Sequence, residues 1–177
     1  MDLEQLVADL RAAIRDVPDF PKPGIVFKDI TTLLQDAALL RRSLDLMSVM
    51  CGDLAVDKVV AIESRGFILG GALALRLGTG FVPVRKPGKL PWRSRRASYQ
   101  LEYGTDSLEI HEDALRAGER ALVVDDVIAT GGTARAVGEL VASLGATVAA
   151  YAFLVELGFL GGREKLAGSE VRSLIRY

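Results

Sequence analysis

The stretch Ala121-Leu122-Val123-Val124-Asp125-Asp126-Val127-Ile128-Ala129-Thr130-Gly131-Gly132-Thr133 joins an apolar run, two adjacent acids and a glycine-threonine loop. The run Ala121–Val124 is typical of a buried strand in a parallel sheet, and residues 133–144 have the pattern of a helix. Ligands of such sheets gather at the carboxyl ends of the strands. The stretch therefore predicts an α/β fold in which this strand delivers both acids to a ligand site.

The loop Ala129–Thr133 has the features of a phosphate cradle. Because it opens a helix, its backbone N–H groups and the positive end of the helix dipole can face an anion. Gly131 and Gly132 allow the backbone to approach that anion closely, and the hydroxyls of Thr130 and Thr133 add donors.

The adjacent carboxylates of Asp125 and Asp126 can accept hydrogen bonds from the vicinal hydroxyls of a sugar. On their own they are also compatible with helix caps, and doubled acids after an apolar strand occur in metal-binding ATPases and phospho-acceptor proteins. The glycine-threonine loop favours a sugar phosphate. The chain has no GxxxxGK[ST] sequence, which argues against an ordinary P-loop nucleotidase.

Further units of strand and helix occur on either side of this stretch. Short apolar runs predict three more strands, at Val59–Ile62, Phe81–Val84 and Val148–Val155. A helix is predicted between the first two, at residues 67–77. Apolar strands separated by helices indicate a parallel sheet with helices on both faces.

Two segments lie outside this pattern. Residues 1–35, an amphipathic helix followed by a proline-stiffened stretch, are expected to form a small N-terminal hood. Asp36 is expected to cap the next helix, which ends at Gly52. Residues 85–110, a basic stretch followed by a β-hairpin, are expected to form a flexible flap. The chain, residues 1–177, is predicted to be one domain.

Composition limits the classes of function. Of 177 residues, 50% are apolar and 25% are charged, which is the balance of an ordinary globular protein. The net charge of -1 predicts no general attraction to nucleic acid or to an anionic membrane. The single cysteine, Cys51, excludes an internal disulfide, and the chain shows neither a signal-peptide pattern nor an apolar run of membrane-spanning length. A cytoplasmic location is therefore expected.

From Ala121 to Thr133 the sequence resembles the type I phosphoribosyltransferases, whose motif is four apolar residues, two acids and a loop similar to Ala/Thr-Thr-Gly-Gly-Thr. The resemblance implies a type I phosphoribosyltransferase-like parallel β-sheet flanked by helices, and phosphoribosyl pyrophosphate (PRPP) as a substrate. It further implies that Asp125 and Asp126 contact the ribose hydroxyls. The backbone that would bind the 5′-phosphate belongs to Ala129, Thr130, Gly131, Gly132 and Thr133.

Three more stretches, residues 19–30, 63–67 and 97–104, resemble the adenine phosphoribosyltransferases within that family, and the resemblance covers essentially the full length. It nominates the backbone of Val26 to read adenine, whose exocyclic amine is a donor beside a ring acceptor. Phe27 is expected to stack on the purine, because an aromatic plane is a rigid platform for a base. The alternative is that Val26 and Phe27 are plain core residues.

Glu63-Ser64-Arg65 follows a predicted strand and, by resemblance, is the pyrophosphate loop. The resemblance implies that this loop often contains a non-proline cis peptide, and the bond between Glu63 and Ser64 is the candidate. Arg65 would contact the base or the pyrophosphate, and the alternative is a surface ion pair. Three basic residues after the next strand are expected to help neutralise the pyrophosphate: Arg85, Lys86 and Lys89.

By resemblance, Glu102 on the hairpin reaches the purine when the flap closes and acts in proton transfer. The alternative is that Glu102 is a solvated hairpin acid. Glu102, Arg65 and Lys89 form the expected catalytic set, which converts adenine and PRPP to AMP and pyrophosphate in purine salvage. Mg²⁺ is expected to arrive with PRPP, held mainly by substrate oxygens and water, so no protein ligand for the metal is assigned.

Several features receive no catalytic role. His111 has no identifiable partner, Cys51 is expected to be buried, and the basic run at residues 92–96 is interpreted as a charged, solvated loop. A homodimer is expected from the resemblance. The competing hypothesis is a PRPP-sensing regulator that has lost catalysis, but the short leading segment and the negative net charge argue against a DNA-binding module.

Overall fold

The structure is a computed structural model that describes residues 2–100 and 105–177. By the distribution of contacts, the chain divides into two compact units, Met1–Leu46 and Met47–Tyr177. The division falls within helix α3 (Ala37–Cys51), so it does not decide whether the chain folds as one domain, and the single-domain expectation stays a prediction.

The first unit contains helix α1 (Leu3–Ala13), strands β1 (Arg15–Pro18) and β2 (Val26–Asp29), and the short helix α2 (Thr31–Gln35). The two strands pair antiparallel, with Pro18 opposite Val26. The predicted first helix is confirmed. It ends at Ala13, and strand β1, which was not predicted, begins at Arg15. Proline disfavours helical geometry in the residue before it, so the approach to Pro18 is extended.

Asp36 caps helix α3, as predicted. Its Oδ1 accepts the backbone N–H groups of Ala38 at 2.8 Å and Leu39 at 3.0 Å, two donors that have no partner within the helix. The helix ends at Cys51, immediately before Gly52.

The second unit is built around a sheet. Its helices are α4 (Arg65–Leu77) and α5 (Gly132–Ser143), with 3-10 helices at Gly158–Leu160 and Gly162–Leu166. Its strands are β3 (Lys58–Ile62), β4 (Gly80–Val84), β5 (Ser94–Gln100), β6 (Thr105–His111), β7 (Arg120–Ile128), β8 (Thr147–Glu156) and β9 (Val171–Arg176).

Five of these strands form a parallel sheet in the order β4-β3-β7-β8-β9, which confirms the predicted α/β class. The residues that line its centre, among them Val60, Val123 and Phe153, are buried. Strand β9 was not predicted, because most of its side chains are only half-buried and its sequence lacks a continuous apolar run.

Strand β7 is longer than predicted. It was expected to end at Val124, yet it continues through both acids to Ile128. Its pairing with β3 does stop at Val124, opposite Ala61, but its pairing with β8 continues to Ile128, opposite Glu156. The sheet therefore has a step, and the two acids lie on the part of β7 that β3 no longer covers.

The predicted hairpin is present as strands β5 and β6, which pair with Arg96 opposite Glu109. Strand β5 begins at Ser94, inside the stretch that was expected to be a solvated loop. Arg95 and Arg96 are exposed, as expected, but they lie on a strand and not in a loop. Arg95 donates to the carbonyl oxygen of Ser143, and Arg96 pairs with buried Glu109 at 2.7 Å. The turn of the hairpin lies outside the described residues, so the motion of the flap stays a prediction.

No helix in residues 2–100 and 105–177 is both long and apolar enough to cross a membrane.

Replacing Asp36 with Ala removes the cap of α3 and should lower the free energy of unfolding by about 1 kcal/mol. The matched control is Asp2→Ala, because Asp2 precedes α1 without making a side-chain cap hydrogen bond. Chemical denaturation of both variants checks this. Equal losses of stability in the two variants would contradict the assignment of Asp36 as the cap.

Candidate active site

The carboxyl ends of three neighbouring strands bring the predicted site residues of the second unit together. Glu63–Arg65 follow β3, Arg85–Lys89 follow β4, and Asp125–Asp126 lie at the end of β7, before the loop Ala129–Thr133. We call these four segments the stepped edge. It is the position at which parallel sheets bind ligands.

The acid pair is held by α4 and by its own backbone. Asp126 is 4% exposed, and its Oδ2 accepts a hydrogen bond from Nε of Arg65. The N–H of Asp126 donates to Oδ1 of Asp125 at 2.9 Å. Gly66 makes this fit possible, because a Cβ at that position would lie 2.9 Å from Oδ1 of Asp125. Arg65 was predicted to contact a substrate. Its guanidinium is already paired with Asp126 when no substrate is bound.

Burial of the Asp125 carboxyl group and the negative charge of Asp126 raise the pKa of Asp125 well above its ordinary value, while Arg65 opposes the rise only in part. The folded protein thus binds a proton on Asp125 more tightly than the unfolded chain does. As the pH rises from the ordinary carboxyl pKa through the raised one, this group lowers the free energy of unfolding.

The glycine-threonine loop has the geometry of an anion site. Gly131 adopts a left-handed conformation, with φ of 77°, and precedes α5 without a side-chain cap. The first N–H groups of α5 therefore have no partner within the helix, and they point outward from its positive end. A cavity of about 90 Å³ adjoins the loop, lined by Asp125, Val127, Ile128, Ala129, Thr130, Gly131, Thr133, Ala134 and Phe153.

Two of the predicted pyrophosphate cations, Arg85 and Lys89, and the backbone of the third, Lys86, meet at one carboxylate. Glu63 accepts hydrogen bonds from Nε of Arg85 at 3.1 Å, from the backbone N–H of Lys86 at 3.0 Å and from Nζ of Lys89 at 3.0 Å. Burial acts to raise the pKa of Glu63, but these three bonds outweigh it and hold the pKa below its ordinary value. The peptide bond between Glu63 and Ser64 is cis, as expected.

Two acids of strand β6, Asp106 and Glu109, bind the segment that follows β4, and neither role was predicted from the sequence. The ammonium of Lys86 pairs with Asp106, which also accepts a hydrogen bond from the hydroxyl of Tyr99 at 3.3 Å. Buried Glu109 accepts the backbone N–H of Gly88 at 2.9 Å. Alternation in β6 gave no sign of these roles, because each partner lies many residues away.

The residues that were predicted to read the base, Val26 and Phe27, belong to the first unit. Val26 is 48% exposed, so the alternative that it is a core residue is wrong. The ring of Phe27 meets that of Phe20 edge to face, with centroids 5.2 Å apart. Phe20 lies in the loop between β1 and β2, and Asp19 stabilises this loop because its Oδ1 accepts the N–H of Gly24 at 2.8 Å. An exposed valine beside an aromatic pair can present both an edge and a face to a planar ligand.

The sequence also singled out Glu102, Cys51 and His111. Glu102 lies outside the described residues, so its role stays a prediction. Cys51 is buried as expected, and burial raises the pKa of its thiol to about 11, which keeps it protonated and unreactive. In the described part of the chain, Nε2 of His111 is buried without a hydrogen-bond partner, and nothing gives it a catalytic role.

The sequence model of the phosphoribosyl transferase domain family matches residues 31–169. A relative from Geobacter metallireducens, named adenine phosphoribosyltransferase, is 58% identical over 96% of this chain and 99% of its own length. The chain belongs to the adenine phosphoribosyltransferase family. The resemblance inferred from the motifs is thereby confirmed.

Solved structures of adenine phosphoribosyltransferases share this fold. The enzyme from Thermoanaerobacter pseudethanolicus is 51% identical, with a TM-score of 0.95, and the match covers 97% of this chain and 99% of that one. The enzyme from Saccharomyces cerevisiae, solved with an imino-altritol bisphosphate and adenine, is 42% identical with a TM-score of 0.90, and the same shares are covered. The predicted architecture is therefore that of the family.

Asp125→Asn should stabilise the protein at neutral pH, because an amide removes the cost of a charged carboxylate buried beside Asp126. The gain in unfolding free energy should be smaller at about pH 4, where the unfolded-state carboxyl is itself half-protonated. Denaturant titrations at both pH values measure this.

The matched control is Asp126→Asn, which removes the carboxylate partner of Arg65 and should not stabilise the protein. A loss of stability in Asp125→Asn at neutral pH would contradict the raised pKa of Asp125.

Proposed function

We propose that this protein transfers the phosphoribosyl group of PRPP to adenine, forming AMP and pyrophosphate in purine salvage. The observation that carries the proposal is the stepped edge, where a carboxylate pair, a helix start and a cation cluster meet. Full-length identity to proteins named adenine phosphoribosyltransferase supports the same substrates. Within residues 2–100 and 105–177, no structural feature favours the alternative of a regulator without catalysis.

Each part of PRPP finds a chemical match. We assign the ribose hydroxyls to the acceptors Asp125 and Asp126, and the 5′-phosphate to the backbone of Ala129–Thr133. Arg65 leads α4 and pairs with Asp126, which places its guanidinium beside the position assigned to the ribose. These contacts hold the sugar while its bond to pyrophosphate lengthens, when positive charge develops on the sugar and negative charge on the leaving group.

The pyrophosphate is assigned to Ser64, Arg65, Arg85, Lys86 and Lys89. The carboxylate of Glu63 cannot donate a hydrogen bond to pyrophosphate, so its part differs from theirs. It gathers the side chains of Arg85 and Lys89 beside its own loop, where an incoming dianion can compete for them. The cations thus stay ordered and close to the site in the absence of substrate.

Adenine is assigned to the first unit, with the backbone of Val26 reading its edge and Phe27 stacking on its face. The exposure of Val26 supports this assignment, since a base edge needs an accessible backbone. Glu102 is assigned to proton transfer on the purine. A carboxylate can act in that role when enclosure under a flap raises its pKa.

We propose that Mg²⁺ enters with PRPP. We assign the ion chiefly to PRPP oxygens and water, because Mg²⁺ usually keeps several waters and binds together with substrate phosphates. When bound, the ion neutralises part of the charge on the leaving pyrophosphate. The described cations, Lys89 among them, share that task.

We also propose that the protein is a cytoplasmic homodimer. Helix α4 exposes Ile68 at 48% and Leu75 at 84%, and the neighbouring Phe81 is 39% exposed, an apolar surface that a second copy could cover. The cytoplasm suits a chain whose one cysteine is buried and which can form no internal disulfide.

The purified protein should convert adenine, with PRPP and Mg²⁺, to AMP and pyrophosphate. Hypoxanthine, guanine and xanthine should be turned over far more slowly, because they carry an oxo acceptor beside an N1–H donor where adenine has its amine donor beside a ring acceptor. Orotate, which has no exocyclic amine, should also be turned over far more slowly. Chromatographic measurement of nucleotide formation with each base checks this. Preferential turnover of another base, or a salt-sensitive DNA complex without any turnover, would overturn the proposal.

A further inference from the structure

Two glycines from distant parts of the sequence touch at the start of α5. A Cβ at Gly131 would overlap the carbonyl oxygen of Gly162, and a Cβ at Gly162 would overlap the carbonyl oxygen of Ala129. It would also lie 2.9 Å from the backbone nitrogen of Gly131. The backbone of the second 3-10 helix (Gly162–Leu166) therefore packs directly against the glycine-threonine loop.

The segment that carries Gly162 is fixed by an ion pair with two hydrogen bonds. Arg163 donates from Nε to Oε1 of Glu156 at 3.0 Å and from Nη2 to Oε2 at 2.5 Å. Its Nη1 donates to the carbonyl oxygen of Val171 at 2.7 Å. The hydrogen bonds from Arg163 lower the pKa of Glu156, so this buried carboxylate remains charged. Paired donation of this kind defines an orientation as well as a distance.

The ion pair is supported by the sheet at its Glu156 end and by the hydrophobic core beyond its Arg163 end. Glu156 is the last residue of β8 and lies opposite Ile128, the last residue of β7. The N–H of Leu157 donates to the carbonyl oxygen of Ile128 at 2.9 Å. Beyond Arg163, Leu166 is buried in the same core cluster as residues of α5. The segment is thus supported from the sheet on one side and from the core on the other.

We propose that Glu156, Arg163 and Gly162 are positioning residues for the 5′-phosphate of PRPP. Glu156 orients Arg163, Arg163 fixes the second 3-10 helix, and Gly162 supports the loop from outside. Donors bind phosphate strongly only within a narrow range of distances, so a loop that loses this support binds its anion less well. The inference rests on the proposed function, because it assumes that the loop Ala129–Thr133 binds the phosphate.

The same geometry allows a purely structural role, in which Arg163 only holds the second 3-10 helix to β8 and β9 through Glu156 and Val171. The two roles predict different kinetics. Loss of a structural staple lowers stability and leaves the KM values for both substrates unchanged. Loss of loop positioning raises the KM for PRPP selectively, because adenine makes no contact with the phosphate loop in the proposed reaction.

Arg163→Met keeps an unbranched apolar stem and removes the guanidinium, and with it the ion pair. We expect the KM for PRPP to rise about tenfold or more, while the KM for adenine changes less than about twofold. The rise in melting temperature that AMP produces in the wild type should shrink accordingly. Arg163→Lys, which keeps the charge but loses the paired donation, should show an intermediate rise in the KM for PRPP.

Arg172→Met is the matched control. Arg172 is another arginine of the C-terminal segment, and it pairs with Asp53 and Glu170 and donates to the carbonyl oxygen of Met50. None of these partners belongs to the stepped edge. This variant should lower the melting temperature and leave both KM values as in the wild type.

The inference is overturned if Arg163→Met changes neither KM, or raises both by the same factor, while the wild type turns over adenine normally. Absence of adenine turnover in the wild type would instead remove the proposed function, so the two failures are distinguishable. If Arg163→Met does not fold, Arg163→Lys decides by the same measurements, and an unchanged KM for PRPP in that folded variant contradicts the inference.

Discussion

The parallel pairing of β3 with β7 is the constraint on which the second unit depends. The pairing runs from Lys58 opposite Ala121 to Ala61 opposite Val124, so it stops one residue before the end of β3 and one residue before Asp125. Because β7 then continues alone beside β8, its two acids are left at a step, next to the residues that follow β3. The ion pair of Arg65 with Asp126 is a direct result of this alignment. A slip of one residue would turn these side chains to the opposite face.

The stepped edge holds its charges in opposed pairs before any substrate arrives. Glu63 collects cations, Arg65 meets Asp126, and Lys86 meets Asp106 on the hairpin. Such pairing keeps long, flexible side chains ordered near the site. Little further conformational entropy is then lost when a substrate oxygen replaces the carboxylate partner. Asp125 is different, since burial and its neighbour disfavour its charge. The protein retains a carboxylate there that lowers its own stability, a pattern typical of binding sites.

Features of the fold that are set by neighbouring residues could be predicted from the sequence, and features that depend on residues far apart in the chain could not. Four strands of the parallel sheet were predictable because buried strands are continuous apolar runs, and the glycine-threonine loop was predictable because its donors and its helix start are adjacent in sequence. The extension of β7 comes from backbone pairing with β8, which leaves no mark on the residue pattern. Glu109 and Gly162 escaped prediction because their partners, Gly88 and Gly131, are far away along the chain. Arg85, Lys86 and Lys89 were assigned to the pyrophosphate from the charge of that leaving group and from their position after a predicted strand, and the assignment stays a prediction.

We assign a ribose phosphate to the end of β7 and the start of α5. A crystal structure of the protein with AMP tests this assignment most directly. The account predicts the 5′-phosphate within hydrogen-bond distance of backbone N–H groups in the loop Ala129–Thr133, with the ribose hydroxyls on Asp125 and Asp126. A 5′-phosphate bound instead by the side chains of Arg85 and Lys89, with the loop making no contact to the ligand, would contradict it.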